Sequence, residues 1–349
     1  MSDEVGRKRR HFLGGAIAGI AATQLAINGI GKAQAARSDP NVEIASGLAT
    51  PSDPLLPLKR IDAGPLNIAY YETGPADGAP VILLHGFPYD IHSFVEVAPM
   101  LAARRCRVIV PYLRGHGPTR FLDANTPRAG QQAALGVDLI NLMNALKVHR
   151  AVLAGYDWGG RAACVAAALW PERCSGLVSV NSYLIQDIAK AALPLPSEVE
   201  SGLWYQYYFQ TERGRVGLST DRRGLTKVVW TRNSPNWRFD DPTLSRSVAA
   251  FDNPDYVEIV IHSYRHRLGL APGYPEYEDV EKQLAVQPAI SVPTITMDGA
   301  SDGVIPATDG SSSASKFTGH RSHRVIPRAG HNLPQEAPVA FADAVMALV

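Results

Sequence analysis

One glycine-flanked aspartate offers the most specific chemistry in this sequence. Asp157 lies at the centre of GYDWGG (155–160), directly after the apolar run 151–155. Small residues on both sides suit a tight strand-to-helix turn, which in many hydrolases holds a nucleophilic serine. A carboxylate in that place would attack an alkyl carbon and form an ester, which water can cleave. An aspartate that caps a helix in an ordinary loop is the alternative.

A second acid and a histidine follow along the chain. His331 lies in AGHN (329–332), after the last predicted strand, where it is placed to act as a general base. Asp302 lies just past another predicted strand and would orient that histidine, with Asp298 as its rival for this role. The order Asp157, Asp302, His331 is nucleophile, acid and base, which is the order of one large hydrolase class.

Two backbone amides complete the candidate constellation. The segment HGFP (85–88) follows a predicted strand, and Trp158 directly follows the nucleophile. The amides of Phe87 and Trp158 would together form an oxyanion hole, which holds the negative oxygen of a tetrahedral intermediate. Taken alone, HGFP is equally typical of a plain turn.

The elements that must position these groups alternate between strand-like and helix-like patterns. Nearly continuous Val, Ile, Leu and Ala runs indicate strands covered on both faces, and the alternation predicts an α/β fold with a mostly parallel sheet flanked by helices. The predicted strands are Asn67–Glu72, Val81–His85, Arg107–Pro111, Ala151–Gly155, Leu177–Asn181, Thr294–Asp298 and His323–Ile326. The predicted helices are Ser93–Ala103, Ala129–Leu146, Arg161–Trp170 and Pro338–Leu348.

The alternation breaks in the middle of the chain, where aromatic residues and Pro-anchored turns predict a helical insertion. The predicted organisation is a signal segment (1–35), a linker or arm (36–60), the first part of the core (61–183), a helical cap (184–290) and the last part of the core (291–349). Since ligands bind beyond the carboxyl ends of parallel strands, an insertion from that edge would act as a lid.

The segments HGFP (85–88), GYDWGG (155–160) and GHN (330–332) resemble those of α/β-hydrolase fold epoxide hydrolases, with haloalkane and haloacetate dehalogenases as neighbours. The resemblance covers roughly residues 61–349 and implies the α/β-hydrolase fold, an aspartate nucleophile and no cofactor. Epoxide hydrolases also carry two lid tyrosines that donate to the epoxide oxygen. By resemblance these are Tyr205, in YQYYFQ (205–210), and Tyr264, in SYR (263–265); an aromatic packing face is the alternative for the first segment.

The resemblance implies hydrolysis of an epoxide to a vicinal diol, with a hydrolytic haloalkane or haloacetate dehalogenase as the alternative. Trp158 is a halide-binding position in dehalogenases, but epoxide hydrolases share it. Phe87 stands where many haloalkane dehalogenases have Asn, and Asn181 stands where some have the triad acid. Both departures favour the epoxide hydrolase, while Phe87 and Trp158 also remain the expected substrate-binding residues. Four cap aromatics indicate that the body of this small-molecule substrate is apolar, without indicating its size: Trp204, Phe209, Trp230 and Trp237.

Composition excludes several other classes of function. The chain has 34 basic and 33 acidic residues and a net charge of +1, so no basic excess indicates a nucleic-acid partner. His262 and His266 have helical spacing but lack a metal-binding motif around them, and we expect no metal. The three cysteines lack metal spacing and are expected to be small core residues. Oligomeric state is left open.

The N-terminus has the pattern of an export signal. A basic cluster at 7–10 precedes the apolar, Gly- and Ala-rich segment 12–30, and AQA (33–35) offers a small-residue cleavage site. The twin arginines of RRHFL (9–13) predict export to the periplasm or beyond through the twin-arginine route. An uncleaved anchor is the alternative, although Gln24, Asn28 and Lys32 make the segment weak as a membrane span.

Overall fold

The computed structural model describes residues 53–349, which form a nine-stranded sheet and twelve α-helices. The strands are β1 (Lys59–Ala63), β2 (Leu66–Thr73), β3 (Ala79–Leu84), β4 (Cys106–Pro111), β5 (Arg120–Phe121), β6 (Ala151–Gly155), β7 (Cys174–Val180), β8 (Thr294–Gly299) and β9 (Arg321–Ile326). The helices are α1 (Val97–Ala103), α2 (Gln132–Ala145), α3 (Asp157–Leu169), α4 (Ser197–Gly202), α5 (Trp204–Tyr208), α6 (Glu212–Thr220), α7 (Arg222–Asn233), α8 (Asp241–Val248), α9 (Tyr256–Arg267), α10 (Glu278–Ala285), α11 (Leu333–Glu336) and α12 (Pro338–Met346).

The strand order is β1-β2-β4-β3-β6-β7-β8-β9, and β5 pairs with β2. Pairing is antiparallel among β1, β2, β4 and β5 and parallel from β4 through to β9. Every residue of β6 and β8 is buried, as the continuous apolar runs predict for strands with helices on both faces. The predicted α/β fold with a mostly parallel sheet is therefore confirmed.

The parallel register brings four chain segments to one edge of the sheet. Leu84 at the end of β3 lies opposite Gly155 at the end of β6, and Gly299 at the end of β8 lies opposite Ile326 at the end of β9. The loops that carry the candidate residues leave the sheet from these four ends. Because the strands are parallel, their carboxyl ends share one edge, and the candidate residues converge there.

Some predicted boundaries are wrong. Strand β1 begins at Lys59, inside the segment 36–60 predicted as a linker or arm; its charged, mostly exposed sequence KRIDA gives no apolar signal. Helix α3 begins at Asp157 rather than Arg161, because the two glycines of the turn belong to its first turn. The predicted helix Ser93–Ala103 is divided into a 3₁₀ turn, Ile91–Phe94, and α1.

Between β7 and β8 the chain forms α4 to α10, which lie against the loops at the carboxyl edge of the sheet. Trp230 of α7 donates its indole N–H to the Pro88 carbonyl at 2.9 Å, and Tyr277 receives a hydrogen bond of 3.0 Å from Arg114. The first contact holds α7 against the HGFP loop, and the second holds the segment just before α10 against the loop that follows β4. The segment is thus placed where it can cover a site at this edge.

Three remaining expectations concern burial and the membrane. Cys106, Cys164 and Cys174 are buried and free, as predicted. The predicted signal segment 1–35 lies outside the described residues. Within 53–349, no helix has both the length and the apolar character that crossing a bilayer requires.

Candidate active site

The turn that carries Asp157 is built from glycines because nothing larger fits. A Cβ on Gly159 would lie 2.1 Å from the Leu84 carbonyl oxygen, and a Cβ on Gly155 would lie 2.6 Å from the carbonyl carbon of Gly159. The close approach forces Asp157 into the left-handed region, with φ of 49°. Such strain in a non-glycine residue is characteristic of functional turns, since the surrounding structure must maintain it. The geometry therefore agrees with a nucleophile turn rather than a helix cap.

His331 lies between two carboxylates. Its Nδ1 is 2.8 Å from Oδ2 of Asp302, and its Nε2 is 3.8 Å from Oδ2 of Asp157. The backbone amide of His331 donates to the Asn233 carbonyl at 3.2 Å and to Ser234 Oγ at 3.1 Å, so the end of α7 fixes the histidine loop. The three side chains thus stand in the linear order that a nucleophile, base and orienting acid require.

The structure also separates the two candidate acids. The second carboxylate oxygen of Asp302 accepts the amides of Val304 and Ile305 at 2.8 and 3.1 Å, which fixes the carboxylate beneath His331. Asp298 instead accepts the amide of Thr308 at 2.9 Å and lies 3.7 Å from Nε2 of His323. Asp302 is therefore the acid in contact with His331.

The HGFP loop supplies one of the expected amides. The Phe87 N–H donates to Oδ1 of Asp157 at 2.7 Å, and Gly86 is required because a Cβ there would lie 2.7 Å from the Asp157 Cβ. Trp158, the other expected donor, is the next residue after Asp157, and its ring stacks on Phe87 at 5.5 Å. His85 has a structural role, because its ring nitrogens contact the Gly86 carbonyl and the Leu113 amide.

Both predicted tyrosines are buried beside this loop. Tyr205 of α5 and Tyr264 of α9 meet edge to face with ring centroids 5.6 Å apart, and they lie 6.0 and 5.3 Å from the Phe87 ring. The Tyr264 hydroxyl and the Trp158 indole N–H are buried near one another, and within residues 53–349 neither makes a hydrogen bond of good geometry. Unpartnered buried donors call for an explanation, and a bound substrate atom would provide one.

The neighbouring aromatics divide into two groups. Phe209 packs between Phe87 and Tyr264, with ring centroids 6.0 and 5.6 Å away. Trp230 and Trp237 instead pack with their rings tilted, 5.0 Å apart, and Trp230 stacks on Tyr89. They support the HGFP loop from the cap side. Trp204 packs against Tyr205 at 6.0 Å, on the outer side of this cluster.

Electrostatics favour an ionised nucleophile and protonated tyrosines. Burial alone would raise the pKa of Asp157, but the hydrogen bond and charge of His331, together with the Phe87 amide, lower it below its usual range. Burial opposes protonation of His331, yet the Asp302 charge and the contact with Asp157 raise its pKa. Burial raises the pKa of both Tyr205 and Tyr264, so their hydroxyls stay protonated at neutral pH.

Two contributors are not among the predicted site residues. Asn181, in the left-handed region just past β7, donates its side-chain amide to Oδ2 of Asp302 at 3.1 Å. Arg161 lies four residues after Asp157 on α3, is buried, and donates through Nη1 to the Leu184 carbonyl at 2.6 Å. Asn181 follows a predicted strand at the shared edge of the sheet, and this position could have marked it as a neighbour of the site. Arg161 lies four residues after Asp157 on one helix, and this i, i+4 spacing could have marked it in the same way.

The paired histidines of α9 are used for packing. Nδ1 of His262 accepts the Gly130 amide at 3.0 Å, and the rings of His262 and His266 stack at 5.8 Å. Across residues 53–349, no three His, Cys, Asp or Glu side chains gather closely enough to hold a metal ion.

Comparison with known proteins gives one family match and several relatives. A sequence profile described as the α/β hydrolase fold matches residues 79–338. The structure is similar to that of a candidate epoxide hydrolase from Klebsiella pneumoniae subsp. pneumoniae, with a TM-score of 0.82 and 50% identity over 83% of this chain and 96% of that one.

Two curated relatives match over part of their length. Epoxide hydrolase B of Mycobacterium tuberculosis is 28% identical over 163 residues, which are 42% of this chain and 44% of that protein. A haloalkane dehalogenase of Mycolicibacterium paratuberculosis is 29% identical over 195 residues, which are 54% of this chain and 61% of that protein. The chain therefore spans about half the length of these curated relatives.

Proposed function

The chain belongs to the α/β hydrolase fold family, and from that premise we propose that it hydrolyses epoxides to vicinal diols through a covalent ester on Asp157. The observation that carries the proposal is the pair of buried phenols, Tyr205 and Tyr264, next to the Phe87 loop that holds the nucleophile. An epoxide opens to an alkoxide, which is a poor leaving group near neutral pH. Two positioned phenols meet that requirement, since a general acid contributes about 10²–10⁴-fold.

In the first step, the carboxylate of Asp157 attacks one carbon of the epoxide. Its Oδ1 is held by the Phe87 amide, which leaves Oδ2 as the free nucleophilic oxygen. The new carbon–oxygen bond forms as the ring carbon–oxygen bond breaks, and the ring oxygen takes a proton from Tyr205 or Tyr264. The products are a hydroxyalkyl ester of Asp157 and a phenolate.

In the second step, His331 removes a proton from water, and the hydroxide attacks the Asp157 ester carbonyl carbon. The Phe87 amide stabilises the resulting oxyanion, and we assign the second donor role to the Trp158 amide; each such donor is worth about 3 kcal/mol. Collapse releases the diol oxygen, which takes the proton from His331. The proton left on the Asp157 carboxyl returns to the phenolate, so the cycle balances.

Ester formation itself prepares His331 for this second step. The Asp157 charge is one of the causes that raise the pKa of His331, and the ester carries no charge. The histidine therefore becomes easier to deprotonate once the intermediate exists. Asp302 accepts from Nδ1 of His331, which keeps the tautomer that leaves Nε2 free to accept a proton.

A hydrolytic dehalogenase is the second candidate. It is supported by the unpartnered indole N–H of Trp158, which could face a leaving halide, and by similarity to a haloalkane dehalogenase. A halide needs no proton, however, so a dehalogenase gives no use to two buried phenols beside the nucleophile. Similarity to a candidate epoxide hydrolase at 50% identity also supports the first function.

Paired product assays distinguish the two candidates. We expect purified protein to convert styrene oxide to its diol, with little halide release from 1-chlorobutane or chloroacetate, and we expect Asp157→Asn to abolish diol formation. Halide release with no diol from any epoxide in a small panel would contradict the proposal in favour of the dehalogenase. An Asp157→Asn variant that keeps full diol formation would contradict both.

A further inference from the structure

A glutamate that takes no part in the proposed reaction holds the loop of the general base. Glu336, at the end of α11, accepts the Gly330 amide on Oε2 at 2.8 Å and the Asn332 amide on Oε1 at 3.1 Å. These two amides lie on either side of His331 in the chain. Hydrogen bonds from backbone amides to an ionised carboxylate are stronger than those to neutral acceptors. Both oxygens of Glu336 therefore bind the loop, and they bracket the base.

Ser234 supplies a third acceptor to the same loop. Residues 330–332 lie between β9 and α11, so the bonds of a helix or strand do not satisfy their amides. The His331 amide donates to Ser234 Oγ at 3.1 Å, and the Asn332 amide reaches the same oxygen at 3.4 Å. Three consecutive amides, centred on the base, thus depend on the side chains of Ser234 and Glu336.

The end of α7 connects this loop to the loop of the orienting acid. The Asn233 carbonyl accepts the His331 amide at 3.2 Å and the Gly303 amide, next to Asp302 in the chain, at 3.0 Å. A Cβ on Gly330 would lie 2.6 Å from the Ser234 Cα, so the two segments are in direct contact. The helical segment between β7 and β8 therefore binds both the acid loop and the base loop through residues 233 and 234.

The second step of the reaction depends on where this loop lies. Nε2 of His331 is 3.8 Å from Oδ2 of Asp157, which is longer than a hydrogen bond. The bond from Nδ1 to Asp302 fixes the direction of the ring, but its distance from Asp157 follows from the main chain of 330–332. Ester hydrolysis requires Nε2 to meet a water that also reaches the ester carbonyl carbon. A misplacement of about 1 Å can lower a rate by about 100-fold.

A helix cap is the alternative role for Glu336. Asn332 precedes α11, and a glutamate that binds the amide of the capping residue helps a helix to begin. That role explains the bond to Asn332 and leaves the bond to Gly330, outside the helix, without a purpose. Burial also raises the pKa of Glu336, and the Ser234 hydroxyl and the loop amides offset this only in part. A carboxylate with a raised pKa lowers the stability of the folded protein once the pH exceeds that pKa, so its charge is not kept for stability at neutral pH.

We propose that Glu336 and Ser234 are positioning residues for His331, which they hold at the distance from Asp157 that ester hydrolysis requires. The inference rests on the ester intermediate of the proposed function, and it applies equally to an epoxide and to a halide substrate. Because Ser234 follows α7, contact between the helical segment and the base loop completes the arrangement of the base.

Rapid-quench kinetics with styrene oxide and intact-protein mass spectrometry tests the inference. Glu336→Ala should keep the burst of Asp157 adduct and slow ester hydrolysis by about 10- to 100-fold, with alkylation changed by less than about threefold. Glu336→Gln retains one acceptor oxygen and should slow hydrolysis by a smaller factor, as should Ser234→Ala. Glu72→Gln, the same change at a β2 carboxylate that pairs with two cations, is the matched control and should alter neither step.

Glu336→Gln and Ser234→Ala decide the question where Glu336→Ala folds poorly, and the melting temperature of Glu336→Gln should lie within about 3 °C of wild type at pH 7. Equal slowing of both steps in these two folded variants would overturn the inference, because that is the result of a purely structural role. Unchanged ester hydrolysis in both would also overturn it. His331→Ala is the reference that should retain the adduct. Absence of adduct from every variant, His331→Ala included, would instead refute the proposed function.

Discussion

Replacing Asp302 by Asn should slow one step of the reaction and spare the other. Oδ1 of Asp302 accepts two loop amides, and Oδ2 accepts from His331 and Asn181. In the variant, the amide oxygen stays with the loop and the NH₂ group faces His331. His331 must then carry its proton on Nε2 to accept at Nδ1, and in that tautomer it cannot act as a base.

The size of the effect follows from the 2.8 Å separation of Nδ1 and Oδ2. At an effective dielectric constant of about 20, a unit charge pair at this distance interacts by about 6 kcal/mol. Losing that stabilisation of the imidazolium should lower the rate of ester hydrolysis by about 10⁴-fold. A carboxylate-to-amide change in a serine protease triad lowers kcat by a similar factor. We expect ester hydrolysis to slow by about 10³–10⁴-fold and Asp157 alkylation to change by less than about tenfold.

Rapid-quench kinetics with intact-protein mass spectrometry measures both steps. The Asp302→Asn variant should show a full burst of protein carrying the mass of the substrate, which decays slowly. Asp298→Asn is the matched control, because Asp298 is a buried carboxylate that bonds Thr308 instead of His331. It should lower stability without accumulating the adduct. Equal slowing of both steps in Asp302→Asn, or adduct in the control variant alone, would refute the reasoning.

Three further results follow from the geometry. Tyr264→Phe and Tyr205→Phe should each slow the alkylation of Asp157 by about 10²-fold or more and leave hydrolysis of a preformed ester unchanged. Stopped-flow Trp fluorescence separates these two steps. A variant in which only hydrolysis is slower would contradict the acid role of the tyrosines. Alkylation should be constant through neutral pH and fall only in acid, as the lowered pKa of Asp157 is crossed. Single-turnover hydrolysis should fall at higher pH than alkylation does, because the pKa of His331 is raised and the imidazole is protonated before acid is reached; a shared profile would contradict this assignment. His92 is buried between Asp90 and Asp53. Burial lowers the pKa of His92, but the two carboxylates raise it overall to about 9. The protonated His92 therefore stabilises the folded protein fully below pH 6.5, and this stabilisation is lost as the pH rises to about 9. Chemical denaturation should show that His92→Gln loses about 3 kcal/mol at pH 6 and much less at pH 9.5, and an equal loss at both pH values would contradict the ion pair.

The strongest parts of the site could be predicted from sequence because each is tied to a local pattern. Asp157 follows an apolar strand and lies among glycines that a tight turn requires, and the parallel sheet then determines where the loops of Phe87, Asp302 and His331 converge. The sequence favoured Asp302 over Asp298, and the three-dimensional structure shows that Asp302 is the one in contact with His331. Both residues lie near the end of β8, and only the direction of each carboxylate separates them.

The parts that sequence did not predict depend on contacts between distant segments. Asn181 donates to Asp302 across 121 positions of the chain, and Arg161 donates to the Leu184 carbonyl, which belongs to the segment after β7. The four cap aromatics from which an apolar substrate was expected do not lie in one group. Trp230 and Trp237 support the Tyr89 side of the HGFP loop, whereas charged groups lie beside the nucleophile.

A single turnover in ¹⁸O-labelled water tests the central claim, covalent catalysis by Asp157, most directly. With enzyme in excess over epoxide, water attacks the ester carbonyl carbon, so the first turnover should place the label in the Asp157 carboxylate and release unlabelled diol. Mass spectrometry of the peptide that contains Asp157, together with the diol, gives both values. Label in the first diol and none in Asp157 would mean that water attacks the epoxide directly, and it would contradict the account.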